Sequence, residues 1–504
     1  MRSDAARRGL VLAALLALWP APGFGQTVVF TGRGDVDLDP RLERFLARRD
    51  YLLVTRDTLI AASDSVPRSV LVAGATFTLE GAVAGDLVAV DANVFLRPSA
   101  RVHGDVVNLG GGLYPSALAR VGGVVVDEPL APYSIVVDGD EVRIRGEAVS
   151  SVVELGGVYG FEPPTYDRVD AVGLRWGAGL RLPPVGTVRP RLGGWIGYAS
   201  GRGALNGGLG LEARHGRTRV ALGAEERTAT RDAWIRGDLR NSLAFAVKGN
   251  DQRNYYEAEV GYAEVAREFG RYGLSGAAQV RAQLERGKSL GAGSPWVLLD
   301  GDEIRPNPPI DDGTIASLIL GLDGSWIGRF AALQAGVEVE IAETVLGGDF
   351  RFGSFLAHGA WGMDALANHM LRVEWRFQGP LPGTTSLPRQ RWSFVGGSGT
   401  LPTFGTARFR GDRLVFVETK YIVPLPQRVA VPIVGPPDLM FVHTFGMAWT
   451  EGDRRDLEQN LEIRLEFFAP YVRVVTNPAD PWDSIELDLG VSWPFDNERP
   501  WRRP

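Results

Sequence analysis

The residues Leu371-Arg372-Val373-Glu374-Trp375-Arg376-Phe377 place apolar and charged side chains in strict alternation. Leu461, Ile463, Leu465 and Phe467 alternate with Glu462, Arg464 and Glu466 in the same way, and Val337, Val339 and Ile341 alternate with Glu338 and Glu340. A period of two puts one set on each face of a β-strand, so these strands have one apolar face and one strongly charged face. Two arrangements accommodate them. In a soluble sandwich the charged face meets bulk water; in a closed barrel the charges lie inside and the apolar face meets lipid. Composition agrees with strands. Of 504 residues 45% are hydrophobic, yet mean hydropathy is −0.04, so apolar and polar residues must be interleaved, and 64 glycines supply many turns.

Three features favour the closed form: long strands such as 172–182 and 412–423, aromatics near strand ends such as Trp361 and Trp493, and unequal connections. The polar loop 287–313 contrasts with the short turn at Gly347-Gly348. Over 149–495, sixteen strands leave roughly 22 residues per strand plus connection, enough for a tilted membrane-spanning strand of ~10 residues. The fold class expected is therefore all-β: an N-terminal parallel β-solenoid, argued below, then an antiparallel transmembrane β-barrel of twelve to sixteen strands, with sixteen the best fit. Arg372, Glu374, Arg376, Glu462, Arg464 and Glu466 are the expected lumen-facing charges. In the last strand Ile485, Leu487, Leu489, Val491, Trp493 and Phe495 form one apolar face, and residues 496–504 follow as a short tail.

Arg2, Arg7 and Arg8 precede an apolar stretch over 9–19, followed by Pro20 and Pro22. This reads as a secretory signal peptide over 1–25, cut near Gly25, with a buried N-terminal helix as the alternative. The stretch is too short to cross a bilayer core of about 30 Å, which takes roughly 20 helical residues. No later segment has that length, so a membrane-resident form must be a closed barrel. With no Cys in the chain, neither a lipid-anchored N-terminus nor a disulfide framework is available.

Val83-Ala84-Gly85-Asp86-Leu87-Val88 returns as Val102-His103-Gly104-Asp105-Val106-Val107 and more loosely as Val121-Gly122-Gly123-Val124-Val125-Val126, each copy 19 residues after the last. Stacked short β-units with fixed corners give a parallel β-solenoid over 64–130, with a small open sheet of hairpins as the alternative. Glycine suits corners that need positive φ, and Asp86 and Asp105 read as corner residues rather than a Ca²⁺ ladder. Residues 26–63 are expected to cap or link, with a helix over 39–49 and a strand over 51–60. Downstream, 128–132 reads as a linker and 136–142 as a hairpin around Asp138-Gly139. The repeat resembles the β-helical core of the bactofilins over roughly sixty residues. That resemblance implies the fold and not the filament; after an export signal the module is expected in the periplasm, with periplasmic or cell-wall components as its expected partners.

The stretch Val395-Gly396-Gly397-Ser398-Gly399-Thr400-Leu401-Pro402-Thr403-Phe404-Gly405, followed by Gly411-Asp412-Arg413-Leu414 and Tyr421-Ile422-Val423-Pro424-Leu425, resembles the bacterial surface-antigen barrels. That superfamily includes outer-membrane assembly factors and two-partner secretion transporters. The resemblance implies a loop folded into the lumen, with Gly396, Gly397 and Phe404 as its candidate residues. Members usually carry an Arg-Gly pair before the aromatic, where this chain has Pro402-Thr403, so a contact between a loop arginine and the wall is left open. Tyr166-Asp167-Arg168-Val169-Asp170-Ala171-Val172 looks like the opening strand of related barrels. Five strands can be placed after the loop, at 412–423, 440–449, 457–468, 471–476 and 484–495, as the resemblance implies. No convincing copy of the βααββ polypeptide-transport domain precedes the barrel. The implied partners are outer-membrane lipid and, during insertion, the barrel-assembly machinery, which would read the strand ending at Phe495.

Catalytic chemistry is hard to find. His103, His215, His358, His369 and His443 include no i, i+4 pair of the kind that holds zinc on a helix. Gly287-Lys288-Ser289 lacks the first glycine of a phosphate-binding loop, and there is no Gly-x-Ser-x-Gly nucleophile elbow. A net charge of −6 without basic runs argues against nucleic acid. No enzyme activity and no cofactor are expected. The function expected is envelope organisation, assembly or transport, against a passive porin-like channel, a structural envelope anchor or a secreted soluble binding protein.

Overall fold

A computed structural model of the protein describes residues 27–491 except 33–38, 49, 117–118, 129–130, 132, 139–140, 147–152, 184, 187, 272–273, 294, 300–303, 328–330, 366–368, 427–436, 454–455 and 468–469. The expected signal peptide over 1–25, Trp493, Phe495 and the expected tail lie outside the described residues. The chain divides at Ser150 into two units.

In the first unit Tyr51–Val54, Ser69–Ala73, Leu87–Leu96, Val106–Pro115 and Val125–Glu128 stack as one parallel sheet, and Ser65–Val66, Ala82–Val83, Arg101–Val102 and Arg120–Val121 as another. Leu87 faces Val106 and Val106 faces Val125, a register of 19 residues per turn. The earlier turns are shorter, with Tyr51 facing Ser69 and Val70 facing Leu87. The ladder therefore begins at Tyr51, in the segment expected to cap it. That first turn lacks the Gly-Asp corner and the 19-residue spacing, so the repeat pattern does not reveal it.

Each corner is fastened to the next. Asp86 N–H donates to Ser69 Oγ (3.0 Å), Asp105 N–H to Asp86 Oδ1 (3.0 Å) and Val124 N–H to Asp105 Oδ1 (2.9 Å). Asp86 and Asp105 thus satisfy backbone donors that the turn would otherwise orphan. The corner glycines answer to close approach rather than to the positive φ expected of them. A Cβ on Gly104 would sit 2.2 Å from Asp86 Oδ1, and one on Gly123 2.3 Å from Asp105 Oδ1. Val70, Val72, Phe77, Leu79, Val94 and Leu96 fill the interior of the coil. Outside it, Leu71, Val88, Val90 and Leu109 pack under Leu42 and Phe45 of helix α1 (Pro40–Arg48) and Ile144. Ile144 belongs to a small sheet of Thr27–Gly32, Glu141–Gly146 and Tyr133–Asp138, the last two forming the expected hairpin.

The second unit is an antiparallel barrel. Its sheet has seventeen strand segments, but Val153–Leu155 and Thr165–Asp167 both pair with the same neighbour and fill one position, leaving sixteen. These two segments are β1. Then come β2 (Ala171–Arg181), β3 (Arg189–Ala199), β4 (Ala204–His215), β5 (Thr218–Ala229), β6 (Tyr256–Arg271), β7 (Leu274–Ser289) and β8 (Gly313–Ile327). The wall continues with β9 (Ala331–Ala342), β10 (Phe352–Asp364), β11 (Met370–Pro380), β12 (Arg413–Pro424), β13 (Asp438–Trp449), β14 (Glu458–Glu466), β15 (Pro470–Thr476) and β16 (Glu486–Val491). The five strands β12 to β16 fall where the sequence places them. Tyr166 to Val172 is not one strand, however. Asp167 Oδ1 accepts the N–H groups of Val169 and Asp170 (both 2.8 Å), a side-chain turn that ends β1 and starts β2.

The wall's polarity is the reverse of a soluble protein's. In β14, Glu462 and Arg464 are 7% and 6% exposed, whereas Leu461 and Ile463 are 46% and 53% exposed. Glu374, Arg376 and Gln378 are likewise buried in β11. Connections also differ between the two ends. The loops 230–255, 290–312 and 381–412 follow β5, β7 and β11 at one end, whereas two-residue intervals join β4 to β5 and β6 to β7 at the other. Among the described residues no helix is long and apolar enough to cross a membrane.

Candidate functional site

Two of the long connections pack against the charged inner wall. The 381–412 connection folds into a small hairpin, Ser393–Val395 against Phe409–Gly411. Gly396 and Gly397 turn its tip with φ of 115° and 89°, which a side chain would strain. The turn is closed by Gly396 N–H to Thr400 Oγ1 (2.8 Å) and Gly397 N–H to the Phe404 carbonyl (2.8 Å). Phe404 meets the Phe409 ring edge-on at 5.2 Å. Phe394, Val395, Leu401 and Phe409 are buried with Leu414 and Phe416 of β12 and Met447 of β13. Gly396, Gly397 and Phe404 are thus brought together at the tip of this hairpin.

What the sequence did not single out is Arg391, in the single helical turn Arg389–Arg391 just ahead of the hairpin. It is 2% exposed. Its Nη1 and Nη2 grip Glu285 of β7 (2.7 and 3.2 Å), while Nε and Nη2 grip Glu340 of β9 (2.8 and 3.0 Å). Both carboxylates have further donors, Tyr256 Oη on Glu285 (3.2 Å) and Ser317 Oγ on Glu340 (2.9 Å). Two bidentate pairs sharing one guanidinium fix the loop in position as well as in energy. Removing one partner from such a buried set costs roughly 3–5 kcal/mol, because charges are left uncompensated. Beside it, Arg389 Nε donates to Asp311 Oδ1 (2.7 Å), tying this loop to the 290–312 connection. The loop arginine contact left open by Pro402-Thr403 therefore exists, supplied from the other side of the hairpin.

The second segment, 230–255, contains helix α2 (Asp238–Lys248). Trp234 packs edge-on against Phe416 (5.2 Å), and the Arg376 guanidinium lies 5.2 Å from the Trp234 ring. Asp232 accepts the Asn254 N–H (2.8 Å), closing the segment on itself, and burial lifts the Asp232 carboxyl to about 6. Two bonds join the segment to the inward loop: Arg236 Nη2 to Ser398 Oγ (2.6 Å) and Gln252 Nε2 to Thr406 Oγ1 (2.8 Å). Arg168, fully buried in the β1–β2 turn, pairs with Asp251 (3.0 Å) and donates to Asn307 (3.1 Å), so three connections share one polar cluster.

The other expected residues fall as follows. Arg372 pairs with buried Glu374 (2.9 Å), and Arg464 with Glu462 (2.6 Å) and Glu466 (3.4 Å). Leu487 and Leu489 of β16 are 69% and 66% exposed, on the side opposite the enclosed charges; the described backbone of β16 ends at Val491. Among the described residues, no cluster of three or more His, Asp or Glu is placed to hold a metal.

No protein-family model matches the sequence, and comparison with curated proteins gives no match. Several solved structures are similar. CdiB from Acinetobacter baumannii aligns over 71% of this chain and 64% of its own at 12% identity and a TM-score of 0.36. CdiB from Escherichia coli aligns over 71% and 66% at 12% identity and 0.39. BamA from Haemophilus ducreyi, in a structure lacking POTRA domains 1–3, aligns over 71% and 73% at 10% identity and 0.41. The chain thus spans less than two-thirds of the length of either CdiB chain.

Proposed function

We propose that the chain is an integral outer-membrane barrel of the surface-antigen and assembly-factor type, with its lumen obstructed by its own inward loop. It acts in envelope assembly or transport by holding or moving material rather than by covalent chemistry. The observation that carries this reading is Arg391 clamped between Glu285 and Glu340. A passive pore has no need to fasten a 32-residue connection to its inner wall by two buried ion pairs. Support for the membrane setting comes from polarity: buried charges with exposed aliphatics at alternate positions are stable only where lipid covers the outside.

Unequal connections support an orientation of the barrel. Outer-membrane barrels keep short turns on the periplasmic side. With an export signal expected ahead of it, the solenoid is read as a periplasmic module. There the solenoid would meet periplasmic or cell-wall components.

The charged inner wall would equally suit a passive channel, and conductance separates the two readings. Purified protein in planar bilayers should show little steady conductance, and Arg391→Ala should produce large, fluctuating openings. A large steady conductance in the intact protein, unchanged by Arg391→Ala, would instead make it a porin.

A further inference from the structure

The outward face of β5, β6 and β7 changes character at one level. Leu222, Ala263 and Ala282 are cross-strand neighbours, and one rung nearer the long connections so are Ala224, Gly261 and Leu284. The next rung is Glu226, Glu259 and Arg286, and the one above it Thr228, Glu257 and Lys288. These side chains point away from the lumen, since Ala258, Val260 and Glu285, which alternate with them, are the enclosed ones. Leu222 and Leu284 are 52% and 50% exposed. From one rung to the next, an aliphatic surface gives way to ionised groups.

The step comes where a bilayer would end. Below Glu259 the next outward charge on β6 is Arg267. The eight residues from one to the other cover about 27 Å along a strand and roughly 20 Å across the membrane at a tilt near 40°. Long side chains at the two margins extend that reach, bracketing an apolar band of about 25 Å. The rung of Arg286 thus stands at headgroup level, in the leaflet at the long-connection end.

The charges at this level are unevenly matched. Lys288 Nζ holds Glu257 (3.2 Å) and Glu259 (2.5 Å), and Arg202 from the β3–β4 connection holds Glu257 (2.9 Å) and Asp170 (2.7 Å). Arg286 is left at the margin: its side chain is 62% exposed, and its carboxylate contact among the described residues is Glu259 at 4.0 Å, already held by Lys288. Two strands across, about 9–10 Å between backbones, exposed Glu226 has no ion pair among the described residues and faces Glu259, a like charge. Thr314, beside Arg286 on β8, donates its N–H to Asp349 (2.7 Å), a further carboxylate. Acidic groups outnumber basic ones here, so the surface does not gather anions by net charge. It offers one open guanidinium beside an acidic flank.

We propose that this margin binds a membrane lipid whose headgroup carries both a phosphate and an amine. Arg286 holds the phosphate, Glu226 meets the ammonium, and Leu284 and Val280 seat the acyl chains. Guanidinium groups take phosphate oxygens through paired donors, and an ammonium relieves the like-charge rung of Glu226 and Glu259. The adjoining aliphatic surface selects a lipid over a free anion. The site rests on the membrane reading proposed above and adds to it a fixed depth for the wall.

The test is native mass spectrometry of the full-length folded protein, stripped of lipid in detergent and then offered single lipids. Phosphatidylethanolamine and a glycolipid bearing phosphoethanolamine are the matched probes, phosphatidylglycerol lacks the amine, and a neutral galactolipid lacks both groups. Inorganic phosphate is the competitor. At least fivefold more of one matched probe than of galactolipid should stay bound, with phosphatidylglycerol between them and no displacement by inorganic phosphate. Arg286→Gln should abolish the preference over galactolipid, and Arg286→Lys should keep part of it. Glu226→Gln should remove the preference over phosphatidylglycerol alone. Arg41→Gln, on α1 of the first unit, should change nothing. Folding of each variant is checked by heat-modifiable migration. Because the chain has no cysteine, Val280→Cys carrying a fluorophore tests the membrane reading separately, through quenching by spin-labelled acyl chains. Equal retention of galactolipid, an unchanged preference in Arg286→Gln, or displacement by inorganic phosphate would overturn the proposal, and quenching at Val280 would then leave the membrane reading standing. Without that quenching both fall.

Discussion

In the solenoid, Val70, Leu71, Val72 and Ala73 are all buried, without alternation, because the coil interior takes one face and helix α1 with its small sheet takes the other. In barrel strand β14, Leu461 and Ile463 face outward while Asn460, Glu462 and Arg464 are enclosed. Both units pair their backbones completely enough to stack, but one is held by apolar packing and the other by enclosed ion pairs. A sheet's sequence pattern reports what covers each face: a near-continuous apolar run means cover on both sides, and alternation with charge means two different surroundings. The difference also separates the forces that a mutation disturbs.

The sharpest way to break the contrast is to remove the central group of each unit. Phe77→Ala in the solenoid core should cost about 3–5 kcal/mol through loss of burial and the cavity left behind, seen as a lower melting temperature of that unit. Arg391→Ala should cost a similar roughly 3–5 kcal/mol in the barrel, but through uncompensated charge. Its double mutant with Glu285→Gln should recover part of the loss, a coupling that a packing defect would not show. Ile463→Arg tests the outward face. It should destabilise the detergent-folded barrel by about 2–4 kcal/mol if that side chain meets lipid near the midplane, whereas on a water-facing surface the change would stay within about 0.5 kcal/mol.

Smaller effects sharpen the comparison further. Asp105→Ala leaves the Val124 N–H without its acceptor and should cost about 1–3 kcal/mol, read by urea unfolding of the first unit. In the barrel, the pKa of Asp232 is raised from 3.8 to about 6 by burial. A carboxyl raised in the folded state favours folding when protonated, so stability falls as pH rises from about 4 to 6 and is flat above. Moving from pH 7 to pH 5 should therefore stabilise the 230–255 segment by about 1 kcal/mol. Asp232→Asn should abolish that dependence, with amide exchange at Asn254 as the readout.

Alternation revealed the wall strands because side-chain direction within a strand is a local property. The 19-residue period was legible for the same reason, through repeated corners. Arg391 was not legible. Its partners are 106 and 51 residues away in the chain, and Glu285 and Glu340 look locally like any other charge on an alternating strand. The resemblance also places an arginine at Pro402-Thr403 rather than at Gln390-Arg391-Trp392. The 230–255 segment carried a helical pattern too short to stand out, and its Arg168–Asp251 anchor spans 83 residues. The break between β1 and β2 turns on Asp167, whose side-chain turn reads as strand in a sequence so rich in alternation.

The alternating strands are proposed to close into a barrel whose apolar outside meets the outer membrane. Heat-modifiable migration tests it directly: protein extracted in detergent from outer membranes is run on denaturing gels with and without boiling. A membrane-extracted band that migrates faster unheated than boiled is expected. An exported protein that stays soluble without detergent and migrates identically under both conditions would contradict it.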